Sequence, residues 1–299
     1  MPSRSFLVPG GAVEIGTRPL IMGIVNASPN SFSDGGELRT LEDRVERARR
    51  LVADGADLID VGGQSGVTNE PEIPAEVEAE RVVPLVEALV AEGIAVSVDT
   101  YRPQVAGPAL DAGASIVNDV SGLLYPEVAA LCARAGAALV VMHTRTPPKV
   151  RRDDPALYDD VTADVVAFLR ERIAVAGEQG LGAEHVIVDP GPDFAKTPAQ
   201  TVAVLRDLDR VDALGRPVLL ALSRKDFIGA ITGRRPRERL AGTLAAIAAL
   251  YGPPGRILRV HDVAAVRDLL DVLAVLRGEV ELAPETVLAE DLRREPPGA

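Results

Sequence analysis

The chain has 299 residues, enough for one large domain or two small ones, and 47% of them are hydrophobic. Aromatic residues make up only 3% and tryptophan is absent, so the core must be built from aliphatic side chains. The net charge of −12 argues against nucleic-acid binding, because neutralising phosphates requires clustered lysine and arginine.

Membrane insertion and secretion are not expected either. No apolar run reaches the ~18 residues needed to span a bilayer, and the N-terminal residues lack the apolar region of a signal peptide. The single cysteine, Cys132, excludes an internal disulfide and is typical of a reducing compartment. We therefore expect a cytoplasmic protein that binds neither membranes nor nucleic acid.

Short apolar runs alternate with helical patterns along most of the chain. Residues 1–19 contain short, glycine-interrupted runs and predict an N-terminal hairpin or lid. Eight later runs predict strands: 20–25, 58–61, 94–98, 115–118, 137–142, 186–189, 218–222 and 257–260. Eight segments have the spacing of one helix face: 40–54, 77–92, 103–112, 127–135, 157–179, 201–209, 239–250 and 263–276.

This alternation predicts an α/β fold with parallel strands joined by helical crossovers. Eight such units within about 250 residues are typical of a (β/α)₈ TIM barrel. A doubly wound open sheet is the alternative, but neither a Gly-x-Gly-x-x-Gly fingerprint nor a Walker motif is present. We predict a single barrel domain over residues 20–279, followed by an acidic, proline-containing tail over residues 280–299.

Polar residues end every predicted strand. In chain order they are Asn26, Asp60, Asp99, Asn118, His143, Asp189, the Ser223-Arg224-Lys225 set, and Arg259 with His261. The carboxyl ends of barrel strands meet at one rim, which holds the active site in TIM-barrel enzymes. No metal-ligand spacing such as His-x-x-x-His and no Gly-x-Ser-x-Gly elbow occurs. The pattern therefore predicts a site of carboxylates, amides and cations.

Structural roles are open for several of these residues. They include helix capping for Asp99, turn formation for Asn118 and Asp189, hydrogen bonding to neighbouring groups for Asp60 and His143, neutralisation of a carboxylate for Lys225, and pairing with a helix end for Arg259 and His261. Taken together these roles are disfavoured, because all of the residues would then share one rim by chance.

The residue types indicate a ligand chemistry. Carboxylates at two strand ends can accept paired N–H donors from a flat heterocycle such as a 2-amino-4-oxo ring, and Asn118 can both donate and accept. Lys225 can donate to a ring oxygen or nitrogen. Arg259 and His261 point the same way along a strand end and suit a pyrophosphate. Asn26 is a neutral oxygen ligand appropriate to Mg²⁺.

The motifs at these residues resemble the dihydropteroate synthase family. They are MGIVNASPNSFSDGG at 22–36, IDVGG at 59–63, SVDT at 97–100, VNDVSG at 117–122, VMH at 141–143, DPG at 189–191, SRK at 223–225 and RVHD at 259–262. The resemblance runs from about residue 18 to about residue 278 and is specific because the motifs occur together. It implies a (β/α)₈ barrel, usually a homodimer, and a transferase of folate biosynthesis. That enzyme condenses 6-hydroxymethyl-7,8-dihydropterin diphosphate with 4-aminobenzoate and releases pyrophosphate.

The resemblance also implies roles for individual residues. The pterin site would comprise Asp99, Asn118, Met142, Asp189, Phe194, Lys225 and Arg259, with catalytic roles for Lys225, Arg259 and His261. Mg²⁺ and the diphosphate would lie at Asn26, Arg259 and His261. The second substrate, an aromatic amine, would contact Phe32, Gly66, Val67, Ser223, Arg224 and Asp226.

Departures from the family pattern fall mainly on the amine side. Where the family reads Glu-Ser-Thr-Arg-Pro-Gly, residues 64–69 read QSGVTN, so Gly66 and Val67 replace Thr and Arg. Asp226 replaces a Ser, and Asp193 replaces a Gly near the same subsite. One alternative is therefore a pterin-binding paralogue that is non-catalytic or uses another acceptor. A second is a pterin-dependent methyltransferase, which the diphosphate-binding motifs at 223–225 and 259–262 disfavour.

Overall fold

Eight parallel strands close into a barrel at the centre of the molecule. The structure, a computed structural model, describes residues 4–27, 40–64 and 71–293. An antiparallel hairpin of β1 (Arg4–Val8) and β2 (Gly11–Ile15) precedes the barrel. The barrel strands are β3 (Leu20–Asn26), β4 (Leu58–Gly62), β5 (Val96–Asp99), β6 (Ile116–Asp119), β7 (Ala138–Met142), β8 (Val186–Asp189), β9 (Val218–Leu220) and β10 (Arg256–Val260). They neighbour one another in chain order, and β10 pairs with β3 to close the ring, as the predicted (β/α)₈ barrel requires.

Helices surround the barrel and cover its outer face. They are α1 (Leu41–Ala53), α2 (Ala75–Ala91), α3 (Pro103–Asp111), α4 (Glu127–Ala135), α5 (Val161–Glu178), α6 (Pro198–Arg206), α7 (Leu208–Asp212), α8 (Asp226–Thr232), α9 (Leu240–Leu250) and α10 (Val263–Leu276). Side chains on the outer face of the strands pack against these helices in a large aliphatic cluster. Among the described residues, no helix is both long and apolar enough to cross a membrane.

The hairpin plugs the amino-terminal end of the barrel. Phe6 and Ile15 are buried and pack with inward-facing strand residues such as Met22, Leu58 and Ile257. This second cluster fills the lower barrel with apolar side chains, so it is a packed core rather than a channel. The polar strand ends are therefore confined to the opposite, carboxyl-terminal rim.

The helices differ from the sequence prediction in two places. The predicted helix 201–209 is two helices, α6 and α7, and α6 begins earlier, at Pro198, behind a capping box formed by Thr197 and Gln200. Helix α8 was not predicted from the sequence, because it has only seven residues and contains Gly229, which weakens the helical pattern. Its start at Asp226, directly after Lys225, matters for the site. The domain boundaries at residues 19 and 279 stay predictions.

Candidate functional site

Strand register brings the predicted polar residues to one level of the rim. Asn26 lies opposite Gly62, and Gly62 lies opposite Asp99 on the next strand. Asp99 is in turn level with Asn118. Because Val96 and Val98 pack outward against the helices, Asp99 on the same strand faces the barrel interior.

Arg259 is the centre of this group. Its Nε donates to Asp60 Oδ2 at 2.6 Å, and its Nη2 donates to Asp99 Oδ2 at 2.7 Å. Asn118 Nδ2 donates to the same Asp60 oxygen at 3.2 Å. Burial disfavours the Arg259 charge, but Asp60 and Asp99 outweigh it and raise the pKa of Arg259. Asp99 thus pairs with a cation and does not cap α3, whose N-cap is Arg102.

Several buried polar atoms beneath Arg259 lack a partner in the part of the chain that the structure describes. They are Asp60 Oδ1, Asn118 Oδ1 and Ser97 Oγ. Asp60 and Ser97 are register neighbours, and both are fully buried. A buried acceptor without a partner costs about 1–3 kcal/mol, so this end of the barrel is suited to a ligand with N–H donors.

Asp189 and Lys225 form the other half of the interior. Asp189 is buried, and its Oδ1 accepts a hydrogen bond from the Gly191 main-chain N–H at 2.7 Å. Burial raises the pKa of Asp189 to about 6, against the opposing effects of the Gly191 amide and of Lys225. The Lys225 ammonium lies 4.3 Å from the centre of the Phe194 ring. Burial lowers the pKa of Lys225, while Asp193 and Asp189 act to raise it.

His261 lies at the rim beside Ser223. Ser223 Oγ is 3.0 Å from His261 Nδ1 and also accepts the His261 main-chain N–H at 3.3 Å. The Ser223 hydroxyl can donate to Nδ1, and in that tautomer the ring proton lies on Nε2. Burial, reinforced by Arg224 and Arg259, lowers the pKa of His261 to about 3, so the ring is a neutral donor.

Arg224 forms an ion pair with Asp262. Its left-handed backbone conformation, with a φ of 62°, directs the side chain to Asp262, with which it forms bonds of 3.2 and 2.8 Å. From the resemblance, Arg224 and Ser223 are predicted to contact the second substrate. In the structure both side chains have partners on the segment that follows β10, and their contact with a second substrate stays a prediction.

Two carboxylates lie at the start of α8. Asp193 Oδ2 accepts the main-chain N–H groups of Asp226 at 2.5 Å and of Phe227 at 3.4 Å. Asp226 accepts a hydrogen bond from Arg239 at 2.9 Å. Asp193 thus occupies the donors at this helix start with its own carboxylate. Three other predicted contacts of the second substrate, Phe32, Gly66 and Val67, lie outside the described residues.

Two further predicted residues have clear positions. Met142 is buried at the end of β7, level with Asp189 on β8. Asn26 lies close to Gly62. A β-carbon on Gly62 would stand 3.8 Å from both Asn26 Oδ1 and Asp99 Oδ2, so an amide oxygen and a carboxylate oxygen lie near each other beside a residue without a side chain. Within the described ranges, no three His, Cys, Asp or Glu residues are grouped to hold a metal. This donor set fits Mg²⁺, which keeps several waters and takes ligands from substrate phosphates.

Lys196 is a buried residue of the site that was not predicted from the sequence. Its side chain is only 1% exposed, and Nζ lies 2.7 Å from His143 Nδ1, 2.9 Å from Gly191 O and 3.2 Å from Phe194 O. His143 Nε2 in turn lies 2.8 Å from Asp164 Oδ1. His143 therefore serves the protein interior, as one of its sequence interpretations held. The signal for Lys196 was a lysine directly after the apolar Phe194-Ala195 pair.

Comparison with known proteins identifies relatives over most of the chain. Residues 22–261 match the family model described as pterin binding enzyme, a range that contains every rim residue from Asn26 to His261. The dihydropteroate synthase of Synechocystis is 39% identical over 264 residues, covering 87% of this chain and 91% of that protein. A probable bifunctional folylpolyglutamate synthase/dihydropteroate synthase from Haloferax volcanii is 42% identical over 246 residues. This match covers 81% of the chain but only 29% of that longer protein.

Solved structures of dihydropteroate synthases are also similar to this chain. The dihydropteroate synthase of Xanthomonas albilineans with 4-aminobenzoic acid has a TM-score of 0.82 and 41% identity, covering 92% of this chain and 99% of that chain. The same enzyme in complex with 7,8-dihydropteroate gives a TM-score of 0.77 and 41% identity, covering 90% of this chain and 97% of that one.

Replacing Asp189 tests whether its buried carboxylate is unfavourable in the empty protein. Because the folded protein raises the pKa of Asp189 to about 6, it binds a proton that the unfolded chain releases at lower pH. Stability is therefore lost as the pH rises from about 4 to about 6. We expect Asp189→Asn, which keeps the Gly191 hydrogen bond, to raise the free energy of unfolding by about 1–3 kcal/mol above pH 7.

This gain should shrink as the pH falls towards 4, and urea unfolding at several pH values measures it. Asp268→Asn, on the exposed face of α10, is the matched control and should show no such dependence. A gain that is equal at pH 4 and pH 8, or a loss of stability at pH 8, would contradict the interpretation.

Proposed function

The chain belongs to the dihydropteroate synthase family of pterin-binding enzymes, and on that premise we propose that it condenses 6-hydroxymethyl-7,8-dihydropterin diphosphate with 4-aminobenzoate. The products would be 7,8-dihydropteroate and pyrophosphate. One observation carries the proposal. At the carboxyl-terminal rim, the barrel interior brings the buried acceptors of Asp60, Asn118 and Asp189 together with two cations, Arg259 and Lys225. A pterin diphosphate offers N–H donors to the first set and negative charge to the second.

The pterin ring fits the inner part of the site. Asp189 can accept two N–H groups from the aminopyrimidine edge, and Asn118 can donate to a ring acceptor while its free oxygen accepts. Met142 and Phe194 supply apolar surface for the ring faces. Lys225, already against the Phe194 ring, can donate to the ring carbonyl or a ring nitrogen.

The diphosphate fits the rim above the ring. A guanidinium has more N–H donors than the two bonds from Arg259 to Asp60 and Asp99 use, so Arg259 can also contact a phosphate oxygen. Neutral His261 can donate from Nε2. Asn26 would hold Mg²⁺ together with phosphate oxygens and water, and the ion when bound would neutralise charge on the leaving group.

These groups support a dissociative substitution. The bond between the pterin methylene carbon and the diphosphate oxygen breaks, and its electron pair leaves with the diphosphate. Arg259 and His261 stabilise that developing charge electrostatically. The positive charge that develops on the methylene carbon is delocalised into the dihydropterin ring. The arylamine nitrogen then bonds to the methylene carbon and loses a proton, so no covalent enzyme intermediate is needed.

The acceptor side has an unusual charge pattern. Asp193 and Asp226 are both at the start of α8, and Asp226 pairs with Arg239. A carboxylated acceptor that approaches α8 would meet these two anions. This feature, with Gly66 and Val67, favours the second candidate function, a pterin-binding paralogue with another acceptor or none. The named relatives are synthases rather than methyltransferases. The homodimer and the cytoplasmic location stay predictions.

An assay of pyrophosphate release tests the proposed function. Purified protein with Mg²⁺, the pterin diphosphate and 4-aminobenzoate should release pyrophosphate and form dihydropteroate in equal amounts, because each turnover makes one of each. Omitting 4-aminobenzoate is the control for simple hydrolysis. Tight binding of the pterin diphosphate without release at any 4-aminobenzoate concentration would support the non-catalytic paralogue instead.

Asp226→Asn tests the charge pattern on the acceptor side. The variant removes one negative charge but keeps an oxygen that can accept the Arg239 hydrogen bond. Because Asp226 is largely exposed, water screens its repulsion, and we expect the KM for 4-aminobenzoate to fall only about twofold to fivefold at low salt.

The uncharged 4-aminobenzamide is the matched control, since its KM should not change with the substitution. The KM for the pterin diphosphate should also stay within about twofold. An equal change for the charged and the uncharged amine would show that Asp226 acts through shape rather than charge.

A further inference from the structure

We propose that Lys196 is a positioning residue for the pterin site, which holds the turn of residues 191–194 so that Asp189 and Phe194 meet the ring correctly. The inference rests on the proposed function for the identity of the ligand. It goes beyond that function because Lys196 is buried behind the turn and is not placed to contact the substrate itself.

The contacts of Lys196 bracket the turn. Its ammonium donates to Gly191 O at 2.9 Å and to Phe194 O at 3.2 Å, so one side chain holds both ends. The Gly191 N–H binds Asp189 Oδ1 at 2.7 Å, and the Phe194 ring packs against the Lys225 ammonium. Lys196 therefore acts on Asp189 through Gly191 and on the Phe194 ring through the Phe194 main chain.

The turn needs this support because its backbone is strained. Gly191, Asp193 and Ala195 all have left-handed φ angles, of 65°, 65° and 49°. Asp193 and Ala195 carry side chains that disfavour this conformation, and such residues persist only where surrounding contacts hold them. The turn also lies against the end of β7, since a β-carbon on Gly191 would clash with the main-chain oxygen of His143, the residue after the strand.

The acceptors around Lys196 match the donors of an ammonium. A lysine ammonium has three donors and no acceptor, and the three nearby acceptors are Gly191 O, Phe194 O and His143 Nδ1. His143 is then neutral and donates from Nε2 to Asp164, which Arg145 also binds through two bonds. Burial, with the help of Lys196, lowers the pKa of His143 to about 3 and agrees with this neutral form.

Other charges around the turn oppose the desolvation of Lys196. Burial lowers the pKa of Lys196 to about 7, while Asp189, Asp164 and Asp193 act to raise it and Lys225 acts with burial. Below pH 7 Lys196 therefore carries its charge, and its bonds to Gly191 O and Phe194 O stabilise the ammonium.

Three variants test the proposal. Lys196→Met removes the ammonium at similar length. His143→Leu removes the third acceptor, and His143→Asn is its matched control, because the Asn Oδ1 can occupy the position of Nδ1 and keep the bond to Lys196. The ligand is 6-hydroxymethyl-7,8-dihydropterin, which lacks the diphosphate and so reports the ring site alone. Calorimetry gives its Kd, and steady-state kinetics give each KM.

We expect Lys196→Met to weaken ring binding about tenfold or more, His143→Leu to weaken it less, and His143→Asn to stay within about threefold of the wild type. The KM for the pterin diphosphate should rise, while the KM for 4-aminobenzoate should stay within about twofold. Hydrogen exchange of the Gly191 amide should be about tenfold faster in Lys196→Met, because the turn opens more often.

A purely structural role gives a different result. Thermal stability would then fall in the variants while the ring affinity of the folded protein and the exchange of the Gly191 amide stayed at wild-type values, and this would overturn the proposal. If Lys196→Met does not fold, equal affinity and exchange in His143→Leu and His143→Asn would overturn it as well. Because the exchange measurement needs no ligand, it still tests the positioning role if the wild type fails to bind the pterin.

Discussion

The structure depends on one constraint, the pairing of the partly buried Arg259 guanidinium with both Asp60 and Asp99 inside a closed barrel. Closure of eight strands brings their polar ends together, and the plugged amino end keeps water out from below. Arg259 bonds one oxygen of each carboxylate, so Asp60 retains a buried oxygen without a partner among the described residues. Such a cluster is costly when empty. A ligand with matching donors and negative charge would relieve that cost. The free-energy cost of the unliganded rim is thus linked to its proposed binding function.

The two parts of the site are held in place by different structural elements. The part assigned to the pterin is built on strand ends and on the turn that Lys196 holds from inside, so its geometry follows from the rigid barrel. The part assigned to the amine begins at α8, a short helix whose first N–H groups are bound by Asp193. Such a loop-supported surface tolerates change more easily than a strand end. This difference agrees with the sequence interpretation that departures from the family pattern fall mainly on the amine side.

The sequence predicted the barrel well because buried parallel strands are continuous apolar runs and their polar ends mark the rim. It did not predict how the rim residues pair. The bond from Arg259 to Asp60 joins residues 199 positions apart, and no local pattern shows it. The backbone of Arg224 turns its side chain to Asp262, although its neighbour Lys225 enters the site. Lys196 was missed because a lysine in a turn is usually exposed, and only its surroundings make it buried.

The central claim is that the buried carboxylates of the rim are completed by the N–H donors of a pterin ring. Calorimetric titration with 6-hydroxymethyl-7,8-dihydropterin at pH 6, in two buffers of different ionisation enthalpy, tests it most directly. The ring donors should favour the ionised form of Asp189, whose pKa is about 6 in the empty protein, and so lower that pKa. Binding should then release protons, and the measured heat should differ between the buffers. Proton uptake on binding, or equal heats in both buffers, would contradict the account.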